Sequence, residues 1–186
     1  MPLRVPKIRL SRSLGPPSYR IEDIPPARQP QALWQRVQEF KGHPLLMDWA
    51  ARFLEAYDVP ERDPAALARA VQRYAQTHIR FMREDPERFA SALRTLEWGF
   101  GDCDDKSIFI ATVLASFRVP VRLVFIRYAY RKRDGTVKRV SHVYPEAQID
   151  GQWVALESVH PWPMGKSPLQ EARNRGLSPT VEMIGP

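Results

Sequence analysis

Trp98, Gly99, Phe100, Gly101, Asp102, Cys103, Asp104 and Asp105 lead directly into Lys106-Ser-Ile-Phe-Ile-Ala-Thr-Val-Leu-Ala-Ser-Phe117. The glycines mark a tight turn. Beyond them, Ile108, Phe109, Ile110, Val113 and Leu114 leave a helix almost no polar face, so the spacing predicts a central, buried helix ending at Pro120. Cys103 opens that helix. Unpaired N–H groups and a partial positive charge there favour thiolate over thiol, and the same N–H groups suit an oxyanion. Asp102, Asp104 and Asp105 oppose this, because their charge raises the thiol pKa, although such carboxylates also cap helices. Position alone favours an inert, buried cysteine over a nucleophile, since free cysteine commonly serves as a small hydrophobe.

Upstream, from Ala32 to Trp98, the pattern is helical. Leu33, Trp34, Val37 and Phe40 recur at helical spacing, as do Leu45, Trp49, Phe53 and Leu54. Asp63-Pro64 reads as an N-cap with proline at the first helical position, and the apolar stripe continues through Tyr74 and Ile79 to Met82. Asp85-Pro86 reads as the start of a short helix towards Leu96. Downstream of Pro120 the period changes to two. Asp134-Gly135 and Asp150-Gly151 are hairpin signals, so antiparallel strands are expected near 121–131, 137–149 and 152–159. Helices followed by a meander make the fold class α+β. Three regions follow: a proline-rich basic arm over 1–30, a domain over 31–160, and a tail over 161–186 that reads as loop with a short helix from Pro168 to Asn174.

The chain has 186 residues, enough for one domain with an appendage. One cysteine excludes an internal disulfide and any Cys-rich zinc module. No apolar run is long enough to cross a bilayer, and the N-terminus lacks the apolar stretch of a secretory signal, so a cytoplasmic or virion location is expected. The net charge of +7 is concentrated in the arm and in residues 118–139, where eight basic residues face Asp134 alone. Such segments attract anionic partners. Arg118, Arg122, Arg127, Arg131, Arg133 and Arg139 lack interleaved base-stacking motifs, which disfavours nucleic acid.

A second feature lies in the hairpin over Asp150-Gly151. A two-residue turn pairs Ile149 with Gln152, sets His142 opposite Val159, and makes Glu157 the diagonal neighbour of His142 on one face. The other face carries Val143, Ala147, Ile149, Val154 and Leu156, a core. Imidazole beside carboxylate is either a base with its orienting group or an ordinary cross-strand polar pair. If the Asp134-Gly135 turn also has two residues, Arg127 faces His142 and disfavours the imidazolium, whereas a longer loop moves it away.

Gly101-Asp102-Cys103-Asp104-Asp105, the buried helix, Val119-Pro120-Val121-Arg122, His142 and Glu157 together resemble the transglutaminase-like cysteine peptidase superfamily over about residues 65–160. Small prokaryotic and phage-type members look most similar. The resemblance implies a papain-like core and a Cys103–His142–Glu157 triad for acyl transfer at an amide carbonyl, with peptidase or amidase chemistry ahead of cross-linking. It implies a protein or peptide substrate; no cofactor is expected, and no metal, because Asp102, Cys103 and Asp104 would mix a soft thiolate with hard carboxylates. Glu157 stands where the family usually has Asp or Asn, Arg118 where it commonly has glycine, and Phe81 near where many relatives have Tyr. Pro145 cannot donate to the ladder and points to an edge or a bulge. Trp98, Gln76 and Asp102 are candidates for the oxyanion side of the site. The alternative is a catalytically idle fold that holds a partner through its arm, such as a phage-particle component.

Overall fold

A computed structural model describes residues 18–20, 23–60, 62–83 and 88–186. Most of the arm, and Asp85-Pro86 with its expected helix start, lie outside the described residues. Strand β1 (Ser18–Arg20) pairs antiparallel with β3 (Arg88–Ala90). Helices α1 (Gln29–Phe40), α2 (Pro44–Ala56) and α3 (Pro64–His78) follow the expected stripes, and Asp63 caps α3 by accepting from the Ala66 amide. The α3 stripe stops at His78 rather than Met82. Arg80–Phe81 instead form β2, parallel to β4 (Phe100–Gly101). The next helix, α4 (Ala92–Trp98), begins only at its Ser91 cap, and Arg88–Ala90 before it is strand. The pull there is tertiary: the Ala90 amide donates to Asp105 at 2.6 Å, holding the segment extended.

Helix α5 (Cys103–Ser116) is the axis of the molecule, and every residue from Asp104 to Ala115 is buried. Asp102 caps it by accepting from the Asp104 and Asp105 amides, while Asp105 reaches back to the Asp102 amide in a reciprocal capping box. Gly101 is obligatory here, since a Cβ would lie 2.5 Å from the Asp105 Cβ. The helix ends in a Schellman motif: the Arg118 amide donates to Ala115 and the Val119 amide to Leu114, with Arg118 at φ 61°. Trp49 of α2 and Tyr74 of α3 stack edge-on and tilted against Phe109 of α5, at 5.6 and 5.7 Å between ring centroids.

The main sheet has four strands, β7-β6-β5-β8, where a three-strand meander was expected. Strand β5 (Val121–Arg131) pairs antiparallel with β6 (Val137–Ile149), and β6 with β7 (Gln152–Ala155). The tail supplies the fourth strand. After α6 (Pro168–Asn174), β8 (Thr180–Ile184) pairs with β5 from Arg127 to Leu123. The physical reason is burial: Val124, Ile126 and Tyr144 face away from α5, and Leu169 of α6 with Val181 of β8 packs over them. On the opposite face Leu123, Phe125, Val143 and Ala147 join the main core, as the hairpin pattern predicts.

The Asp150-Gly151 hairpin has the expected register, with Ile149 opposite Gln152. Pro145 introduces no bulge, and the β5 pairing runs straight through it. It does end the third strand at Ala155 instead of 159. Leu156 donates to the Pro145 carbonyl at 2.9 Å, but Pro145 has no N–H to return, and the chain leaves the ladder. The first hairpin loop spans 132–136, so Arg131 pairs with Val137 and Arg127 lies opposite Ser141. Ile126, not Arg127, faces His142.

Candidate active site

Where α5 begins and β7 ends, one cleft of about 1090 Å³ opens, lined by Asp102, Cys103, His142, Val159, His160 and Trp162 among others. Cys103 is the first residue of α5, half-buried. Its sulfur receives the Val143 backbone N–H and lies 3.6 Å from Asp104 Oδ1. Of the opposing influences on the thiol, those that raise its pKa prevail. Burial raises it most, the Asp104 and Asp102 charges add to that, and the Val143 amide only partly opposes them. Cys103 therefore rests as a thiol at neutral pH.

His142, on β6, places Nε2 2.7 Å from Glu157 Oε2, leaving Nδ1 as the nitrogen turned to other uses. Glu157 is fully buried, and its other oxygen accepts from the Val159 and His160 amides at 2.6 and 3.0 Å. Burial alone would raise its pKa. The His142 hydrogen bond and charge, with the two amides, instead hold it at about 2. The longer glutamate is accommodated because the chain has already left the ladder, so Glu157 reaches His142 from a loop and not from a strand.

That loop is clamped from behind. Gln76 Nε2 donates to the carbonyls of Glu157 and Trp162, both at 2.8 Å, and Gln72 Nε2 to Glu157 at 2.8 Å. Gln76 is thus committed to backbone carbonyls and does not line the cleft, contrary to its expected place beside an oxyanion. Trp98 is also elsewhere, stacked on Phe100 at 5.5 Å between centroids. Asp102 does line the cleft, but as the helix cap it is an acceptor.

Two contributors escaped the sequence reading, Lys106 and Gln72. Lys106 lies 2% exposed and donates to the Ser158 carbonyl at 3.1 Å. A lone cation in an otherwise apolar helical run was the signal. His160, in the loop beyond β7, also lines the cleft, with Nδ1 3.5 Å from Glu157 Oε1 and its ring stacked on Trp162 at 4.7 Å. Gln72 gave no local sign. The ligand atoms of Asp102, Cys103 and Asp104 fall within 4.8 Å of one another, yet a soft sulfur between hard carboxylates matches no common metal site. Among the described residues, no helix is long and apolar enough to cross a membrane.

A thiol at the head of a buried helix, packed on an antiparallel sheet with an imidazole–carboxylate pair at the same cleft, is the papain-like arrangement. The chain belongs to the transglutaminase-like superfamily, whose family model matches residues 51–158. The curated proteins yield no match. Among solved structures, a chain from Parabacteroides distasonis provisionally described as a protease superposes with a TM-score of 0.50 at 11% identity, over 71% of this chain and 26% of that one. One from Cytophaga hutchinsonii, provisionally described as a cysteine protease, gives 0.45 at 15% identity, over 80% and 55%. LapG of Legionella pneumophila, in a calcium-bound form, gives 0.48 at 16% identity, over 80% of each chain. The chain thus spans about half of the Cytophaga chain and about a quarter of the Parabacteroides chain. The family match itself runs from within α2 to the residue after Glu157.

Proposed function

We propose that this protein is a cysteine-dependent peptidase or amidase, with Cys103 as nucleophile, His142 as general base and then acid, and Glu157 as the group that orients and charge-balances the imidazole. The observation that carries the reading is the 2.7 Å contact of His142 with a fully buried Glu157 in the cleft that Cys103 also lines. Because Cys103 rests as a thiol, deprotonation belongs to the attack itself. His142 takes the S–H proton as sulfur bonds to the amide carbonyl carbon, and the ionised Glu157 stabilises the resulting imidazolium. The Cys103 backbone N–H, at the head of α5, supports the developing oxyanion. His142 then delivers the proton to the leaving amine as the C–N bond breaks, giving a thioester. Water, deprotonated by His142, attacks the thioester, and the thiol regains its proton as the carboxylic acid leaves.

The test needs no known substrate. At pH 7, iodoacetamide should label Cys103 at least tenfold faster in the wild type than in His142→Ala, read by intact mass. Equal rates would remove His142 as the base and with it the reading. Where labelling is fast, release of new amino termini from unfolded casein identifies a peptidase, and incorporation of a primary-amine tag into casein identifies a cross-linker.

A further inference from the structure

On β6 the odd-numbered residues turn their backbone groups outward, away from β5. The Pro145 carbonyl accepts from Leu156, and the Val143 carbonyl accepts from Ser107 Oγ at 3.1 Å. Even-numbered positions turn inward, as when Gln148 donates to Pro120. Above Pro145, therefore, the head of α5 stands where β7 would continue, and it occupies both groups of Val143, one through Ser107 and one through the Cys103 sulfur. The next outward positions are Ser141 and Arg139, both exposed. Among the described residues, no strand pairs with that edge.

We propose that this edge docks the substrate, an extended peptide bearing acidic side chains that adds to β6 as an outer strand and so presents its carbonyl to Cys103; the assignment rests on the peptidase reading above. Ser141 lies two residues from Val143, about 7 Å along the strand, so a peptide residue beside the sulfur places a neighbour in register with the Ser141 amide and carbonyl. Alternate side chains of the added strand then fall on the cleft side, where Tyr128, Lys138 and Val140 lie, or on the opposite side with Arg127 and Arg139. Charge selects the occupant. Residues 127–141 hold six basic residues; of the carboxylates near them, Asp134 is bound by the Thr136 amide and hydroxyl at 2.9 and 2.6 Å and Glu182 of β8 lies 3.8 Å from Arg127, so the exposed Lys138 and Arg139 of β6 carry the charge that meets an incoming strand. A second copy of this chain would set like charge against like charge on the same edge, which opposes self-pairing.

The experiment uses Cys103→Ala protein, so that no chemistry intervenes, and two probes: an eight-residue peptide of alternating glutamate and valine, and its lysine counterpart. Amide hydrogen exchange at Arg139 and Ser141 should slow at least tenfold with the acidic peptide and stay unchanged with the lysine peptide. Ser141→Pro removes an outward N–H only, as Pro145 already does in the same strand, and should weaken acidic-peptide binding at least tenfold while the inner β5–β6 amides stay protected. Arg139→Glu, at an exposed side chain, should reverse the preference between the peptides. Unchanged exchange at both amides, or equal affinity in both variants and the parent, would overturn the proposal. Protected amides in a protein whose wild type shows no His142-dependent labelling would keep the docking edge and remove the peptidase reading.

Discussion

Lys106 shows how a single buried charge is used at this site. It sits a turn along α5 from Cys103, inside the core, and its ammonium supports the Ser158 carbonyl beside Glu157. Burial takes its pKa down from 10.5 to about 8, with the Glu157 carboxylate pulling the other way. The folded-state pKa is the lower one, so between about pH 8 and 10.5 the unfolded chain holds a proton that the folded chain has released. Stability from this group therefore rises with pH across that window. Raised thiol and tyrosine values act in the opposite direction at alkaline pH, so the measurement is a difference. The urea-unfolding free energy of the wild type relative to Lys106→Met should grow from pH 8 to pH 10.5. A constant difference would show that Lys106 titrates like an exposed lysine.

At the scale of elements, the joint between α5 and β5 turns on one residue in a left-handed conformation. Arg118 holds φ 61° to close the Schellman motif, the position where the family resemblance led one to expect glycine. An L-residue in that conformation costs roughly 1–2 kcal/mol, and part of the gain from glycine is lost to its freedom in the unfolded chain. Arg118→Gly is therefore expected to stabilise the protein by about 0.5–1 kcal/mol, seen as a higher Tm in calorimetry. An unchanged or lower Tm would mean that the Arg118 side chain contributes as much as the backbone loses. Elements of this kind account for what the sequence disclosed. The apolar run of α5, the capping aspartates and the Asp150-Gly151 turn are local signals, and they carried the central helix and the Ile149–Gln152 register, whereas Glu157 meets His142 from the loop beyond Ala155 and not along a continuing ladder. The strand over Arg88–Ala90 depends on Asp105, fifteen residues on, and the end of β7 on Pro145 across the hairpin, while the loop 132–136 is closed by its own bonds, such as Lys132 to Thr136, which the Asp-Gly signal alone does not distinguish from a two-residue turn. Gln76 was misplaced because a glutamine on a helix gives no sign that it will clamp a loop beyond residue 157.

At the scale of the whole molecule, the C-terminal tail belongs to the sheet. Removing residues 179–186 deletes β8, uncovers the edge of β5 from Leu123 to Arg127, and opens the small core of Val124, Ile126 and Tyr144. A loss of about 3 kcal/mol or more is expected from the exposed aliphatic surface, together with concentration-dependent association through the bared edge. Urea unfolding and size-exclusion chromatography would measure the two effects. Full stability in a truncated, monomeric chain would show that β8 only rests on the sheet. The same pairing also sets an order of events during synthesis. Strand β5 receives its second neighbour only after α6 has been made, and α6 walls the cleft through Pro168 and Ala172. A ribosome releases the chain from its N-terminal end, so Cys103, His142 and Glu157 all emerge before the wall that encloses them. The thiol thus emerges without its finished cleft, which is complete only after residues 168–184 have followed.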